Sequence, residues 1–422
     1  MASEELKTVS GVGGFPPDWK VLQANDVSIK VTKGTTPSKS DVSKSGDIPF
    51  LRVNNLSFNG VLDKTSDFIF VSEEAHNNFL ARSRAYPGDV LMNIVGPPLG
   101  KTSLLGADFN EYNMNQAIVF YRLKNDVANA EFFLSYLNGF RAQNWLQSRS
   151  KKTSGQQNLT IEICKELPVP VPPLPEQKKI ASILSTWNDA ISANEDLLAN
   201  SRQRKKALMQ QLLTGKKRLP GFEEKWISAS IAQFCKKESI RAGMDDSYPV
   251  LSCTKYDGFV DSLDYFNKQV FSDDTSNYKV IKRDWIGFPS NHVEEGSIGI
   301  QNLYQAGIVS PIYEIFSVDN SKCLPDYLYA NLKSDMYRQI FASRTNASVD
   351  RRGSLRWDTF SQIDVLLPPV DEQECIVDII TTSAKEIETL EQRINNLKLQ
   401  KKALMQQLLT GKKRVVVEKE VA

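Results

Sequence analysis

The 422-residue sequence has few of the residues on which common enzyme active sites depend. It contains two histidines, His76 and His292, which leaves little material for a histidine base or a Ser-His-Asp arrangement. It also lacks the Asn/Asp-Pro-Pro-aromatic sequence of amino-methyltransferases and a glycine-rich dinucleotide fingerprint. We therefore expect a binding protein with no catalytic residues, no cofactor and no bound metal.

Cysteine is scarce and follows no pattern. The five cysteines are an odd number and include no Cys-x-x-Cys pair: Cys164, Cys235, Cys253, Cys323 and Cys375. A disulfide framework needs pairs, and most zinc sites need closely spaced ligands. The sequence argues against both.

Long apolar runs are absent as well. No stretch reaches the roughly 20 apolar residues that a membrane span needs. The N-terminus carries Glu4 and Glu5 and is not followed by an apolar run of signal-peptide length. We expect a cytoplasmic protein with no membrane partner.

The net charge is small, because 52 Lys and Arg residues and 50 Asp and Glu residues leave +2. A basic excess is the usual mark of a small DNA-binding domain. Charge alone therefore leaves two possibilities open: a DNA-binding protein with acidic faces turned away from DNA, and a protein with no polyanionic partner. The length suits two domains of ordinary size.

One glycine-rich segment superficially matches a phosphate-binding loop. Residues 96–102 read GPPLGKT, which is one residue short of G-x-x-x-x-G-K-[ST], and the two prolines lack the amide donors that hold phosphate. We interpret the segment as a turn between strands, with Lys101 as a candidate contact to a DNA backbone.

What the sequence does contain is a long internal repeat. Residues 205–218 read KKALMQQLLTGKKR, and the same fourteen letters return 196 positions later. The same offset aligns two Pro-Pro-x-x-Glu-Gln motifs, so that residues 172–218 recur without a gap as residues 368–414. Upstream the similarity is weaker, with DVL at 89–91 facing DWI at 284–286. The chain is a duplication in which each half joins a divergent globular part to a nearly constant segment.

The constant segments have the features of long helices. Each opens with prolines followed by Glu176-Gln177 or its repeat, a helix-start signal because proline suits the first turn and early acids suit the helix dipole. Each closes at Gly215 or Gly411, which are natural caps. The Lys-Lys-Arg that follows either suits the negative end of the dipole or contacts phosphates.

Both segments carry a heptad pattern. The rows of the second copy are Ile376, Ser383, Leu390, Leu397, Leu404 and Ile380, Ile387, Ile394, Lys401, Leu408. Those of the first copy are Ile180, Trp187, Asn194, Ser201, Leu208 and Leu184, Ile191, Leu198, Lys205, Leu212. The pattern predicts that the two helices pack on each other as a coiled coil.

The predicted fold is mixed α/β. Two globular domains are separated by two long antiparallel coiled-coil helices, an internal duplication with pseudo-two-fold symmetry. β-Branched and aromatic residues at 117–123 and 312–318 support the sheet content. The predicted boundaries are 1–171 and 219–367 for the domains, 172–218 and 368–414 for the helical regions, and 415–422 for a C-terminal tail.

Two variable domains that alternate with two near-identical helical segments resemble the specificity subunits of Type I restriction-modification systems. The first domain resembles that family's target recognition domains in SGDIPFLR at 45–52, GDVLM at 88–92 and Asn115-Gln116. The second departs from the pattern, with RDWIG at 283–287 and VSP at 309–311. The resemblance covers nearly the whole chain.

The resemblance implies a non-catalytic protein that reads a bipartite, asymmetric DNA site, one part with each recognition domain. It also implies the partners: double-stranded DNA, two DNA methyltransferase (modification) subunits bound by the helical segments, and restriction (nuclease-translocase) subunits. S-adenosylmethionine is then a cofactor of the modification subunits and not of this chain.

The candidate DNA contacts are polar and basic residues in the loops of the two domains, because Arg reads guanine and Asn or Gln reads adenine by paired hydrogen bonds. In the first domain they are Lys33, Thr35, Arg52, Lys101, Lys151, Lys152, Gln156, Gln157 and Asn158. In the second domain they are Lys255, Asn291, His292, Arg344, Asn346, Arg351, Arg352 and Arg356.

Two other functions stay open on the sequence. A nuclease or methyltransferase with built-in DNA specificity would need a catalytic domain, for which the repeat leaves no room. A structural coiled-coil protein would bind other proteins with its globular ends, and a DNA-binding assay distinguishes it from a DNA reader.

Overall fold

The computed structural model describes residues 7–9, 11–63, 67–96, 98–153, 156–244, 247–291, 293–345 and 354–417. The chain packs as two compact units. The first unit is Met1–Glu195 with Gln392–Ala422, and the second is Asp196–Glu391. Each unit therefore contains one globular domain and parts of two long helices that come from different copies of the repeat.

The first unit begins with short strands and helices and ends in a long helix. Its strands are β1 (Lys7–Val9), β2 (Gly13–Phe15), β3 (Lys20–Gln23), β4 (Ser28–Lys33), β5 (Val42–Ser43), β6 (Pro49–Leu51), β7 (Ile69–Val71), β8 (Val90–Asn93), β9 (Val95–Gly96), β10 (Thr102–Leu104), β11 (Asn113–Met114), β12 (Ile118–Leu123), β13 (Lys151–Thr153), β14 (Gln156–Asn158) and β15 (Pro168–Val171). Its helices are α1 (Glu73–Asn77), α2 (Ala130–Leu137), α3 (Phe140–Arg149), α4 (Ile161–Glu166) and the first part of α5 (Leu174–Leu212).

The second unit repeats this order with fewer strands among its described residues. They are β16 (Ile227–Ser230), β17 (Cys235–Glu238), β18 (Leu251–Thr254), β19 (Gly258–Asp261), β20 (Lys279–Lys282), β21 (Ile286–Pro289), β22 (Gly299–Ile300), β23 (Ala306–Val309), β24 (Tyr313–Val318) and β25 (Asp364–Leu367). The helices are α6 (Ser262–Phe266), α7 (Pro325–Leu332), α8 (Asp335–Thr345), α9 (Trp357–Phe360) and α10 (Val370–Leu408), of which the end belongs to the first unit.

Both units are built on an antiparallel four-stranded sheet with the same connectivity. The strand order is β4-β12-β8-β10 in the first unit and β17-β24-β21-β22 in the second. The central strands β12 and β24 are rich in β-branched and aromatic residues, and most of their side chains are buried. The strands predicted at 117–123 and 312–318 are thus confirmed, and the mixed α/β fold with them.

A second shared feature ties each domain to its long helix. The strand before each long helix pairs with a strand near the start of its domain: β15 before α5 pairs with β3, and β25 before α10 pairs with β16. The remaining described sheets differ between the units. The first unit has β1-β2, β11-β6-β7-β5, which includes a parallel pair, and β13-β14-β9, while the second has β18-β19 and β20-β23.

The structure shifts one sequence alignment by a residue. The sequence comparison placed Asp284 opposite Asp89, but Asp284 takes the place of Gly88. Both have a left-handed backbone, with φ of 64° for Asp284 and 90° for Gly88. The amide of Asp284 donates to Gln301 O and that of Gly88 to Leu105 O, and these two acceptors are also 196 positions apart. Aspartate is one of the few residues with a side chain that adopts this conformation routinely, which is why the alignment by letter was wrong.

The two long helices are antiparallel within each unit. In the first unit Lys398 pairs with Glu195 at 2.6 Å, and Lys401 donates to Asn188, which lies further back along α5. All the heptad positions predicted from the sequence are buried or half-buried. The coiled-coil prediction is confirmed.

Each constant segment ends inside a globular core. Leu408 and Leu409 from the end of α10 are buried with Phe15 and Trp19 of the first domain. Leu212 and Leu213 are buried in the core of the second unit. The predicted caps are present, because Gly215 and Gly411 are left-handed, with φ of 68° and 67°.

Neither a membrane span nor a metal site is found in the part of the chain that the structure describes. No described helix is long and apolar enough to cross a membrane. No described cluster of His, Cys, Asp and Glu residues could hold a metal ion.

Candidate DNA interface and helix junctions

One end of the first central sheet collects several of the predicted DNA contacts. Neighbouring strands run in opposite directions, so the end of β4 lies beside the start of β12, and the end of β8 lies beside the start of β10. Exposed Lys33 ends β4, and half-buried Lys101 immediately precedes β10. Two positive charges therefore lie at the same end of this sheet.

Thr35 and Arg52 flank a turn at this same end. The amide of Thr35 donates to Met114 O at 3.0 Å, and the amide of Asn115 donates to Leu51 O at 3.1 Å. Thr35 Oγ1 also accepts a hydrogen bond from Arg82 Nε at 3.0 Å. Thr35 lies just after β4 and Arg52 just after β6, and both segments bond to the backbone of Met114 and Asn115.

The segment that resembles a phosphate loop is a turn between β9 and β10, as predicted. Buried Asn93 holds it: its Nδ2 donates to Val95 O at 3.1 Å and to Pro98 O at 2.9 Å, and its Oδ1 accepts from Lys101 N at 2.8 Å. The side chain of Asn93 takes the bonds that the turn's own backbone leaves unmade. Sequence reasoning missed this residue, which has no motif of its own.

The hairpin of β13 and β14 adds the remaining first-domain candidates. Gln157 pairs with Gly96 and Asn158 with Val95, which places the hairpin beside the turn that contains Lys101. Lys151 is exposed, and Gln157 and Asn158 are half-buried. Lys152 and Gln156 belong to the strands of this hairpin, but their side chains are not among the parts that the structure describes.

In the second unit the corresponding sheet end brings two candidates together. The amide of Leu355 donates to Ser290 O at 2.7 Å, so Asn291 and Arg356, the next residues in the two segments, are neighbours. Arg356 is exposed at the start of α9, and Arg344 is exposed near the end of α8. His292, Asn346, Arg351 and Arg352 lie outside the described residues.

Lys255 is held at a crossing of two loops by a lysine that the sequence did not single out. Lys333 Nζ donates to Lys255 O at 2.8 Å and to Gly296 O at 3.0 Å. Burial lowers the pKa of Lys333. Lys255 itself is exposed, and its ammonium group lies over the ring of Tyr256.

The turn before the central strand has the same backbone hydrogen bond in both domains, although its amino-acid sequence differs. The amide of Ile118 donates to Asn115 O and that of Tyr313 to Ser310 O, both at 3.1 Å. Ser310 therefore takes the place of the asparagine in the Asn-Gln motif. The departure of the second domain from the family pattern changes the side chain and leaves the backbone turn intact.

A cluster that we call the first junction fixes the start of α5. It consists of Trp19, Glu176, Arg414 and Asp18. The buried carboxylate of Glu176 accepts hydrogen bonds from two residues: from the guanidinium of Arg414 at 2.8 and 2.9 Å, and from Trp19 Nε1 at 3.3 Å. Arg414 also donates to Asp18 at 2.9 and 2.8 Å. These hydrogen bonds raise the pKa of Arg414.

The second junction repeats the arrangement at the start of α10. Glu372, which is fully buried, accepts two bonds of 2.8 Å from Arg218 and one of 3.0 Å from Trp226 Nε1. Its hydrogen bonds raise the pKa of Arg218. In both junctions the glutamate and the arginine come from different copies of the repeat.

The junctions add a contact that the sequence did not indicate. The sequence predicts that the early glutamates suit the helix dipole, and that the Lys-Lys-Arg motif suits the other end of the dipole or contacts phosphates. The structure shows in addition that the arginine of each motif is held by the buried glutamate of the other copy. The sequence signal was present, because Trp19 and Trp226 each stand directly before the strand that pairs with the one leading into the long helix.

The glutamine of each Pro-Pro-x-x-Glu-Gln motif fastens the helix start to its domain. Gln177 donates to two backbone carbonyls and accepts from the amide of Asn129, which caps α2, at 2.8 Å. Gln373 does the same with the amide of Leu324 before α7, also at 2.8 Å. The motif is therefore a buried joint between domain and helix.

Sequence and structure comparisons agree on the family. Residues 16–200 match the profile of the Type I restriction modification DNA specificity domain. The chain is 25% identical to the MjaVIII specificity subunit of Methanocaldococcus jannaschii, over 98% of this chain and 96% of that protein. It is 24% identical to the EcoKI specificity subunit of Escherichia coli K12, over 94% of this chain and 89% of that one. The chain is therefore similar, over nearly its whole length, to specificity subunits of Type I restriction-modification systems.

The fold agrees with solved members of this family. The crystal structure of the Type I restriction-modification S subunit from M. genitalium is similar with a TM-score of 0.56 and 15% identity, and the similarity covers 96% of this chain and 98% of that one. Specificity subunits are the DNA-recognition component of their systems and are not catalytic. These similarities support the prediction of a non-catalytic specificity subunit.

Proposed function

We propose that this specificity subunit reads a bipartite, asymmetric DNA site, one part with each globular domain. The observation that carries the proposal is that the two domains share a sheet and a junction but present different side chains at the sheet end. Polar side chains at the end of a rigid sheet suit base reading, because sequence is read by hydrogen bonds to base edges from a fixed frame.

The proposed contacts are those predicted from the sequence. In the first domain, exposed Lys33 and Lys151 suit phosphates, whereas half-buried Gln157 and Asn158 suit adenine. In the second domain, exposed Arg356 and neighbouring Asn291 suit guanine and adenine. The other candidates of both domains stay predictions.

The proposed partners are two modification subunits, which carry the methyltransferase chemistry, and restriction subunits. Two modification subunits are supported by the two constant segments, which carry the same exposed residue types. The chain then acts as a scaffold that holds these subunits on the DNA between or beside the two parts of the site.

The test is an exchange of one recognition domain. Residues 20–171 are replaced by those of a relative, which leaves Trp19 and both junctions in place. The variant is expressed with its modification subunit, and the methylated sites are read by methylome sequencing. We expect one part of the bipartite site to change and the other to stay.

The matched control is the exchange of residues 227–367, which leaves Trp226 in place and should change only the other part. A change of both parts by either exchange would contradict the proposal that each domain reads its own part. Methylation without any bipartite site would contradict the function as a whole.

A further inference from the structure

The imidazole of His76 is buried in the first domain with a hydrogen-bond acceptor at each ring nitrogen. The residue is 1% exposed. Its Nδ1 lies 2.5 Å from Asn113 Oδ1, and its Nε2 lies 2.6 Å from Glu111 Oε2. The amide of Asn113 is oriented by its own Nδ2, which donates to Leu80 O at 3.3 Å. An amide oxygen and a carboxylate both accept, so this arrangement needs a proton on each ring nitrogen.

The charges around the ring favour this imidazolium form. The hydrogen bond from His76 is the main cause that lowers the pKa of Glu111, so the carboxylate is ionised. Acids outnumber bases among the titratable groups of the adjoining segments, and this excess favours a positive ring. These groups are Glu73 and Glu74 of α1, Arg82 and Arg84 of the segment after it, Tyr86, which bonds to Glu111, and Asp47 and Asp108, which line one cavity with Glu111.

The backbone connects this buried ring to a turn at the DNA end of the sheet. Asn113 begins β11, and the next residue, Met114, accepts a bond from the amide of Thr35 at 3.0 Å. The turn that follows contains Asn115 and Gln116, and the side chain of Gln116 is exposed. Glutamine reads adenine by paired hydrogen bonds, so this turn offers a base contact whose position depends on β11.

A second route reaches the same turn through side chains. Leu80 O, which accepts from Asn113, also accepts from Ser83 Oγ at 3.0 Å. Ser83 Oγ in turn lies 3.3 Å from Thr35 Oγ1, and Ser83 is fully buried. A displacement of Asn113 therefore acts on Thr35 along both routes.

The second domain has an apolar residue in the place of Asn113. Asn113 pairs with β6 in parallel, and Ile308 makes the equivalent parallel bridge to Val250. Ile308 also stands two residues before Ser310, which takes the place of Asn115. It is 1% exposed and its side chain cannot form hydrogen bonds. The second domain thus holds the same turn by apolar packing and serves as an internal control.

We propose that His76 is a positioning residue for base reading by the first domain, and that it holds the turn of Asn115 and Gln116 in place while both ring nitrogens carry protons. The inference rests on the proposed function, which supplies the DNA. Histidine changes its charge between about pH 5 and 8. Because a bond to a carboxylate is stronger than one to an amide, the last proton stays on Nε2. The lone pair then forms at Nδ1, where it repels the oxygen of Asn113.

The first measurement observes the ring directly. His76 and His292 are the two histidines of the chain, so the full-length protein labelled with ¹⁵N-histidine gives two sets of ring signals, and His292→Gln identifies those of His76. The ¹⁵N shifts distinguish protonated from bare nitrogens. We expect both nitrogens of His76 to be protonated at about pH 6, and Nδ1 to be bare at about pH 8.5.

The second measurement follows base reading by the assembled complex. Its affinity for the cognate duplex is divided by its affinity for a duplex with the first part scrambled, which gives the first ratio. Scrambling the second part gives the second ratio. We expect the first ratio to fall at least about fivefold between about pH 6 and 8.5, as for one lost base contact. The second ratio should not follow the titration of His76.

Two variants separate this role from a merely structural one. In Glu111→Gln the amide can donate to a bare Nε2, which leaves the proton of a neutral ring on Nδ1, facing Asn113. We expect its first ratio to stay high at both pH values. His76→Leu should have a low first ratio at both pH values, with the second ratio retained as evidence that the chain is folded.

Four outcomes would overturn the inference. One is a ring of His76 that is neutral at pH 6 or still doubly protonated at pH 8.5. Another is a ring that titrates while the first ratio stays constant, which would leave the proposed function standing. A low first ratio in Glu111→Gln at both pH values would make the pair a structural one. Wild-type ratios of one for both parts at every pH would contradict the proposed function itself, and this inference with it.

Discussion

The two units have the same framework and differ in what they present at the sheet end. Both have a four-stranded sheet of the same order, a strand pair beside the long helix, and a Trp-Glu-Arg junction. In the first unit a hairpin and a turn held by Asn93 lie at the sheet end, and in the second Leu355 and Arg356 lie there, where the amide of Leu355 donates to Ser290 O. Buried contacts thus fix the framework, while exposed loops are free to diverge.

The largest expected effect is a loss of stability when a junction glutamate is removed, and its size should differ between the two junctions. Glu372→Ala removes the carboxylate partner of Arg218 and leaves polar groups unsatisfied beside a buried site. The free energy of unfolding should fall by about 2–4 kcal/mol. Glu176→Ala should cost less, because Asp18 still pairs with Arg414 at 2.8 Å.

These losses are measured by urea unfolding followed by tryptophan fluorescence, since Trp19 and Trp226 bond directly to the two glutamates. Glu374→Ala, an exposed change near the start of α10, is the control and should have little effect. Equal losses for both junction variants would mean that Asp18 contributes nothing.

The next effect concerns DNA binding by the assembled complex. Lys33→Gln and Arg356→Gln should each weaken binding and lower the slope of log K against log salt, by about one for the phosphate contact proposed for Lys33. Because Arg356 is proposed to read guanine, its substitution should also relax the base preference at one position. The controls are Lys124→Gln and Lys322→Gln, at the opposite ends of the same two sheets. A slope that falls for the controls but not for the test variants would place the DNA at the other end of each sheet.

A smaller effect tests the shifted alignment. Gly88→Asp puts a side chain on a left-handed residue and should cost about 1 kcal/mol. Asp284→Gly at the equivalent position removes that strain and should be neutral or slightly stabilising. Thermal melting of both variants measures the difference, with Asp284→Asn as the control. A strong loss for Asp284→Gly would show that its carboxylate has a role of its own.

The smallest effect distinguishes two lysines at equivalent heptad positions. Burial lowers the pKa of both Lys205 and Lys401. Because the unfolded chain then binds more protons, stability should rise with pH between the lowered pKa and the ordinary lysine value. Lys205→Met and Lys401→Met should remove that rise and add a few tenths of a kcal/mol at neutral pH.

The gain should be smaller for Lys401→Met, because Lys401 donates to Asn188 and the substitution removes that bond. Urea unfolding at several pH values measures both. An unchanged pH dependence in Lys205→Met would mean that other groups cause it.

The sequence predicted the parts of the candidate site more fully than their arrangement. It gave the loop residues Lys33, Lys101 and Arg356 as candidates because their residue types suit DNA. It did not indicate that Asn93 holds the turn beside Lys101, or that Lys333 holds the loop of Lys255. Such supports are single polar residues whose partners are backbone atoms far away in the chain, and no periodicity marks them.

The sequence by itself determined the duplication, the two long helices, their caps at Gly215 and Gly411 and the central strands, because repeats, heptads and strand composition are local patterns. Only the tertiary structure decided that Glu176 pairs with Arg414 and Glu372 with Arg218. Each pair joins different copies of the repeat, because the glutamate and the arginine of one copy lie at opposite ends of a 39-residue helix. The antiparallel helices bring the start of one constant segment to the end of the other. That these two side chains then meet in a buried pair depends on how each domain packs around the helix ends, which no local sequence pattern encodes.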